Sequence, residues 1–219
     1  MLLHGLTGAK PPISAQGATM RTVNVILFND FETLDAFGPI ELFGRLKDEF
    51  SLRFFSREGG PVISTQGAPV VTEPFASLDQ RDGILLIPGG DGVRDLVKDS
   101  GYIARLAEFA ATAEFILTVC TGSILFSKTG LLDGKNATSN KRLFQWTSLE
   151  SPAVRWIKKA RWVRDGKVYT SSGISAGMDM ALGFIADLLG YEVAKRQSVE
   201  IEYDWRENSA DDPFADVYP

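Results

Sequence analysis

Along the chain, short uninterrupted apolar runs alternate with stretches in which apolar residues recur every three or four positions. The runs VNVILF at 23–28, SLRFFS at 51–56, GILLI at 83–87 and EFILTV at 114–119 have the length and the β-branched and aromatic content of strands buried on both faces. Between them, Ile40, Leu42, Phe43 and Leu46 fall on one helical face after Gly38 and Pro39, which places Pro39 in a first turn. Helical spacing returns at Val93, Leu96 and Val97, then at Ile103, Leu106, Phe109 and Ala110. It appears again at Ile124, Leu125 and Phe126, stopping near Gly130, and briefly around Leu143, Phe144 and Trp146. A long apolar helix begins at Ser175, runs through Met180, Phe184 and Leu188 and ends at Gly190; a last helix spans about 192–203. Two hairpins interrupt the alternation: one at 61–72 around Gln66-Gly67, whose prolines suit a sheet edge, and one joining 160–164 to 167–170 through Asp165-Gly166.

Strand, helix and strand in succession require a crossover, and a crossover makes the sheet parallel. The predicted fold is therefore α/β, a doubly wound, mainly parallel sheet flanked by helices, flavodoxin-like. In such a sheet ligands sit at the carboxyl ends of the strands, and three segments lead there: Asp35 after the first strand, PGGDG 88–92, and Cys120. At Cys120 a strand run meets a helical pattern with no loop between them, the arrangement of a nucleophile elbow. A helix N-terminus below the sulfur and nearby backbone N–H groups are expected to favour thiolate over thiol. Asp35, near a helix start, is a cap by default and a candidate for proton transfer. Gly89 and Gly90 permit close backbone approach, and their N–H groups with that of Thr121 are candidates for stabilising developing negative charge. Glu32 is a second nearby carboxylate, expected in solvent, and Phe144, Trp146, Trp156 and Trp162 are expected in the core or in subunit contacts.

Composition narrows the picture. With 44% hydrophobic and 23% charged residues over 219 positions, the chain reads as one globular domain at 20–205, between a Gly-, Ala-, Pro- and Ser-rich N-terminal extension at 1–19 and an acidic C-terminal tail at 206–219. A formal net charge of -5 gives no electrostatic reason to bind nucleic acid or an anionic membrane. No apolar run approaches the roughly 20 residues that span a bilayer. A single cysteine excludes an intramolecular disulfide and a thiolate metal cluster, and suits a reducing compartment, so a cytoplasmic protein is expected. The single histidine, His4, lies in the extension, which leaves Cys120 without an imidazole base in the domain and gives no metal or cofactor site.

Three pieces, LDAFGP 34–39, IPGG 87–90 and VCTGS 119–123, resemble the ThiJ/PfpI superfamily, a class I glutamine amidotransferase-like fold, in order and spacing. GLLDGK 130–135 and TSSGISAGMD 170–179 extend the resemblance to about residues 21–203, with Thr121 and the aspartate-bearing first loop most similar to the isonitrile hydratase branch. That branch implies Cys120 as nucleophile, Asp35 as acid and base, Gly173 and Ile174 lining the pocket opposite, no cofactor, and a homodimer acting on a small molecule. The sequence departs from the superfamily at Asn140 and Thr121, where relatives carry histidine, which weakens protease, amidase and glyoxalase-type readings. The expected activity is hydration of isonitriles to N-substituted formamides. The alternatives are a redox or stress sensor with an oxidisable Cys120 and a glyoxalase-type activity on small carbonyls.

Overall fold

The computed structural model describes residues 20–78 and 83–218; the expectations for 1–19, His4 included, lie outside the described residues. Eight strands form one sheet. In chain order they are β1 (Arg21–Ile26), β2 (Phe50–Ser56), β3 (Glu58–Ile63), β4 (Pro69–Pro74), β5 (Gly83–Ile87), β6 (Phe115–Thr118), β9 (Trp162–Asp165) and β10 (Val168–Ser171), with β7 (Asn136–Ala137) and β8 (Arg155–Trp156) pairing separately. Across the sheet the order is β3-β4-β2-β1-β5-β6-β10-β9. The pairs from β4 to β10 are parallel, and the hairpins β3–β4 and β9–β10 supply an antiparallel strand at each edge. All residues of β5, β6 and β10 are buried, as apolar runs covered on both faces require. The doubly wound, mainly parallel fold expected from the alternation is the fold observed.

Helices cover both faces. On one side α1 (Thr33–Arg45), α6 (Ala176–Leu189) and α7 (Tyr191–Glu200) pack together; α2 (Val93–Leu96), α3 (Ser100–Thr112) and α4 (Gly122–Ser127) pack together as a second group, and α5 (Phe144–Glu150) lies in the connection after β7. The chain leaves β1 toward β2 and the β3–β4 edge, then returns to lay β5 on the opposite side of β1. This reversal opens a crevice at the carboxyl ends of β1, β5 and β6, where a doubly wound sheet binds ligands.

The structure corrects the sequence reading in three places. First, α1 begins at Thr33, so Pro39 is an interior residue of the helix, and Asp35 belongs to the first turn. The early start has a tertiary cause: the Thr33 N–H donates to Gln66 Oε1 at 3.1 Å, so the tip of the β3–β4 hairpin satisfies a donor at the helix N-terminus. Second, Glu32, expected in solvent, is half-buried. Third, the segment after α7 is packed on the domain. Trp205, Asp212 and Ala215 are buried, Arg161 N–H donates to the Ser209 carbonyl at 2.8 Å, and Asp212 N–H donates to the Lys159 carbonyl at 2.7 Å.

A closed set of buried charges fastens that segment. Arg161 pairs with Asp179 at 2.8 Å and lies 3.6 Å from Asp212, whose other oxygen is 3.8 Å from Lys141 Nζ. Two cations and two carboxylates, each at most 2% exposed, leave no net buried charge, which is what makes their burial tolerable.

Candidate active site

The register of the sheet assembles the site. Ile87 lies level with Thr118 across β5 and β6, and Val119 N–H donates to the Ile87 carbonyl at 3.0 Å, so the turns that follow the two strands meet. The first contributes Gly89 and Gly90, the second Cys120 and Thr121, and α1 brings Asp35 from the end of β1.

Cys120 has φ 58°, a left-handed backbone that costs a non-glycine residue about 1 kcal/mol or more. Four bonds hold it there: its carbonyl accepts from Ser123 Oγ at 2.9 Å, Ser139 Oγ at 3.0 Å and the Ser123 N–H at 3.4 Å, and its N–H donates to the Ser172 carbonyl at 3.3 Å. The strand-to-helix junction expected of a nucleophile elbow is thus present, with Thr121 as the N-cap of α4.

Asp35 does not cap α1. Its carboxyl is fully buried; Oδ2 accepts from Gly89 N–H at 2.9 Å, and Oδ1 has no hydrogen-bond partner among the described residues. Gly90 N–H donates to Thr121 Oγ1 at 3.1 Å. Both glycine N–H groups are therefore engaged, while the Thr121 N–H faces the sulfur. A Cβ on residue 89 would lie 2.4 Å from Thr121 Oγ1 and 3.0 Å from Asp35 Oδ2, so the close approach of the two turns depends on glycine there.

Electrostatics differ from the expectation at one point. The helix end and the Thr121 N–H were expected to lower the thiol pKa. Instead burial, and next the negative charge of Asp35, push the Cys120 thiol well up, against the smaller opposing effects of Asn140 and the Thr121 N–H. Burial likewise pushes the Asp35 carboxyl well above the usual range, reinforced by Glu32 and opposed by the Gly89 N–H and the Cys120 thiol. Glu32 is half-buried and linked to Gln66 Nε2 at 2.9 Å, so it contributes charge to the site without entering it. Because the Asp35 charge raises the thiol pKa while the thiol's hydrogen bond favours the carboxylate, Asp35 and Cys120 titrate as a pair and hold one proton between them over the range separating its two steps.

A cleft of about 400 Å³ adjoins the elbow, lined among others by Leu34, Asn140, Gly173, Ile174, Phe214 and Tyr218. The structure thus places Gly173 and Ile174 on the cleft and Asp35 and Thr121 beside the sulfur, whereas the Gly89 and Gly90 N–H groups are spent on Asp35 and Thr121 and are not free to stabilise developing charge as expected. Two contacts go beyond the sequence reading, in which Asn140 is only a departure from the superfamily's histidine and the C-terminal segment only an acidic tail. Asn140 donates its side-chain amide to Cys120 Sγ at 3.1 Å, and Phe214 and Tyr218 bring the C-terminal segment to the cleft. The polar run TSN at 138–140, whose first two residues are buried, is the local trace of the first; the second has none.

The arrangement pairs a strained cysteine at an elbow with a buried carboxyl in an α/β sheet, which defines a class of cysteine-centred sites at the carboxyl edge of parallel strands. The chain belongs to the DJ-1/PfpI family, whose model matches residues 21–187. An isonitrile hydratase of Pseudomonas putida is 32% identical over 184 residues, covering 83% of this chain and 78% of that protein. The HTH-type transcriptional regulator CdhR of Pseudomonas aeruginosa is 25% identical over 171 residues, 75% of this chain and 49% of the regulator. A crystal structure of a ThiJ/PfpI family protein from Pseudomonas syringae superposes with a TM-score of 0.77 at 27% identity, covering 95% of this chain and 86% of that one. Relatives of the chain therefore include proteins named for catalysis and for regulation. No helix among the described residues is long and apolar enough to cross a membrane.

Proposed function

We propose that the protein hydrates isonitriles to N-substituted formamides, with Cys120 as nucleophile and Asp35 as acid and base. The observation that carries this reading is the buried Cys120–Asp35 pair beside a small cleft, in which Asp35 Oδ1 is free of other partners. The terminal carbon of an isonitrile accepts both a nucleophile and a proton. A site for this reaction needs those two groups side by side and no imidazole.

In the first step the Cys120 sulfur bonds to the terminal carbon of R–N≡C, and the proton held by the Asp35–Cys120 pair passes to the same carbon, giving the thioimidate R–N=CH–S–Cys120. Asp35, now a carboxylate, takes a proton from water as the water oxygen bonds to that carbon, and passes it to nitrogen. The adduct R–NH–CH(OH)–S–Cys120 collapses: its hydroxyl proton returns to the pair, the C–S bond breaks, and R–NH–CHO leaves. One water is consumed and the pair regains its single proton. A cleft of about 400 Å³ lies at the small end of ligand sites, in keeping with a small substrate.

The sensor reading is less well supported, because oxidation follows thiolate character and exposure, and Cys120 is 5% exposed with its thiol pKa pushed up. The test is incubation with cyclohexyl and aryl isonitriles, with the formamide followed by chromatography. Formamide from the wild type and none from Cys120→Ala is expected. A folded, reduced wild type that makes no formamide from any of several isonitriles rejects the proposal.

A further inference from the structure

We infer that Asn140 is a catalytic residue of this site, a neutral donor that stabilises the Cys120 thiolate through its side-chain amide while leaving proton exchange with the sulfur to Asp35. The inference rests on the preceding proposal only in taking the sulfur as the nucleophile.

Three independent features converge on this amide. Its Nδ2 lies 3.1 Å from Cys120 Sγ. Its orientation is fixed from the other end, because Oδ1 accepts the Leu143 N–H at 3.2 Å; the flipped amide would set oxygen against sulfur and NH₂ against N–H. Finally, its seat is cut out of the opposite wall. A Cβ on Gly173 would lie 2.1 Å from Asn140 Nδ2 and 3.1 Å from Cys120 Sγ, so both partners occupy their places only because residue 173 carries no side chain. The backbone of Gly173 is not left-handed, and the need for glycine there is one of space.

The chemistry follows from what an amide cannot do. It neither gains nor loses a proton near neutral pH, so it cannot take the thiol proton or form an ion pair with the sulfur. Its hydrogen bond is stronger to a thiolate than to a thiol, since a charged acceptor roughly doubles such a bond. Asn140 therefore shifts the pair's proton away from sulfur, toward Asp35, before attack. During attack the charge leaves sulfur for the new C–S bond and the hydrogen bond weakens; when the C–S bond breaks, the amide receives the thiolate again. Because the chain has one cysteine, a single group reports on all of this.

The test measures the thiolate itself. Ultraviolet absorbance would be followed against pH for the wild type, Asn140→Ala, Asn140→Asp and Gly173→Ala, each as a difference from Cys120→Ala to remove tyrosine ionisation. Losing a hydrogen bond to a charged group is expected to lower the thiolate fraction at a given pH about tenfold or more in Asn140→Ala. Asn140→Asp keeps the shape and adds a like charge, so its thiolate fraction is expected to fall further. Gly173→Ala is expected to move in the same direction by displacing the amide. Titration of Asn140→Ala unchanged from wild type overturns the inference, whether or not formamide is produced. Absence of formamide from the wild type, with the titrations shifted as expected, rejects isonitrile hydration and leaves the role of Asn140 standing.

Discussion

Replacing Asp35 by Asn separates a catalytic carboxyl from a structural one, because the two roles predict opposite signs for stability. In the wild type the carboxyl is fully buried, Oδ2 holds the Gly89 N–H at 2.9 Å and Oδ1 is unpartnered. Asparagine keeps an oxygen for the Gly89 N–H and places NH₂ where Oδ1 stood, beside a sulfur able to accept from it. A buried, unsatisfied polar atom costs about 1–3 kcal/mol, so relief of that cost predicts a variant more stable by about 1–2 kcal/mol at pH 8. For a chain of this length that corresponds to a rise in Tm of about 2–8 °C. The pH dependence fixes the cause. The folded-state pKa of Asp35 is raised, so between the ordinary carboxylate value and the folded value the native state binds more protons than the unfolded chain. Wild-type stability therefore falls with rising pH across that window, and the variant lacks this contribution. Its advantage should be near zero below about pH 4 and reach a plateau above the folded pKa. Activity should move the other way, with kcat/KM falling about 10²- to 10⁴-fold through loss of the acid and base. Urea denaturation across pH 4–9, alongside the formamide assay, measures both. A variant that keeps activity within tenfold, or is less stable at every pH, would falsify the assignment of Asp35 to proton transfer.

Three further outcomes follow from the surrounding structure. Gly89→Ala should lose most activity and about 1–3 kcal/mol of stability, because its Cβ meets Thr121 and Asp35 at 2.4–3.0 Å; a crystal structure in which Asp35 and Thr121 keep their places would contradict this. Asp212→Ala leaves Arg161 and Lys141 facing each other without their shared carboxylate, which should cost about 3–5 kcal/mol and expose the segment after Trp205 to limited proteolysis; equal protease resistance in wild type and variant speaks against the latch. Burial lowers the Lys141 pKa from 10.5 to about 8, so between those values the unfolded chain binds the extra proton and wild-type stability rises with pH. Relative to Lys141→Met the gain should reach about 3 kcal/mol by pH 10.5, and parallel stability curves for the two proteins over pH 7–10.5 would refute it.

Much of the fold is legible in the sequence because its determinants are local. A strand covered on both faces needs an apolar run, and β1, β2, β5 and β6 fall at 23–28, 51–56, 83–87 and 114–119 to within a few residues. The hairpin turn at Asp165-Gly166 is local too: Gly166 has φ 64°, which glycine adopts without strain. The start of α1 is not local. Its donor is satisfied by Gln66, 33 residues away, and no pattern near Thr33 announces it. The segment after Trp205 reads only as an acidic tail because its charges are counted without their partners. Asp212 is buried only because Arg161 and Lys141 are already buried beneath it, and that depends on the fold.

The site divides along the same line. Cys120, Asp35 and the glycines are legible as groups following strands, since the carboxyl edge of a parallel sheet collects whatever follows its strands. What they do to one another is not. The expected low thiol pKa takes account of the helix end, which the sequence displays, and omits the burial that the same elbow imposes. A helix of six residues offers a fraction of a charge at the sulfur, while burial beside a carboxyl penalises the whole charge of a thiolate. Burial wins, and the sulfur is left sharing a proton with Asp35. For a nucleophile whose substrate accepts only the sulfur, that would be a handicap, because the thiolate would be scarce. An isonitrile carbon takes sulfur and proton together, and for that substrate a thiol poised against a carboxyl is already the reacting pair. The upward thiol shift therefore counts for the hydration reading and against one in which an exposed thiolate meets an oxidant.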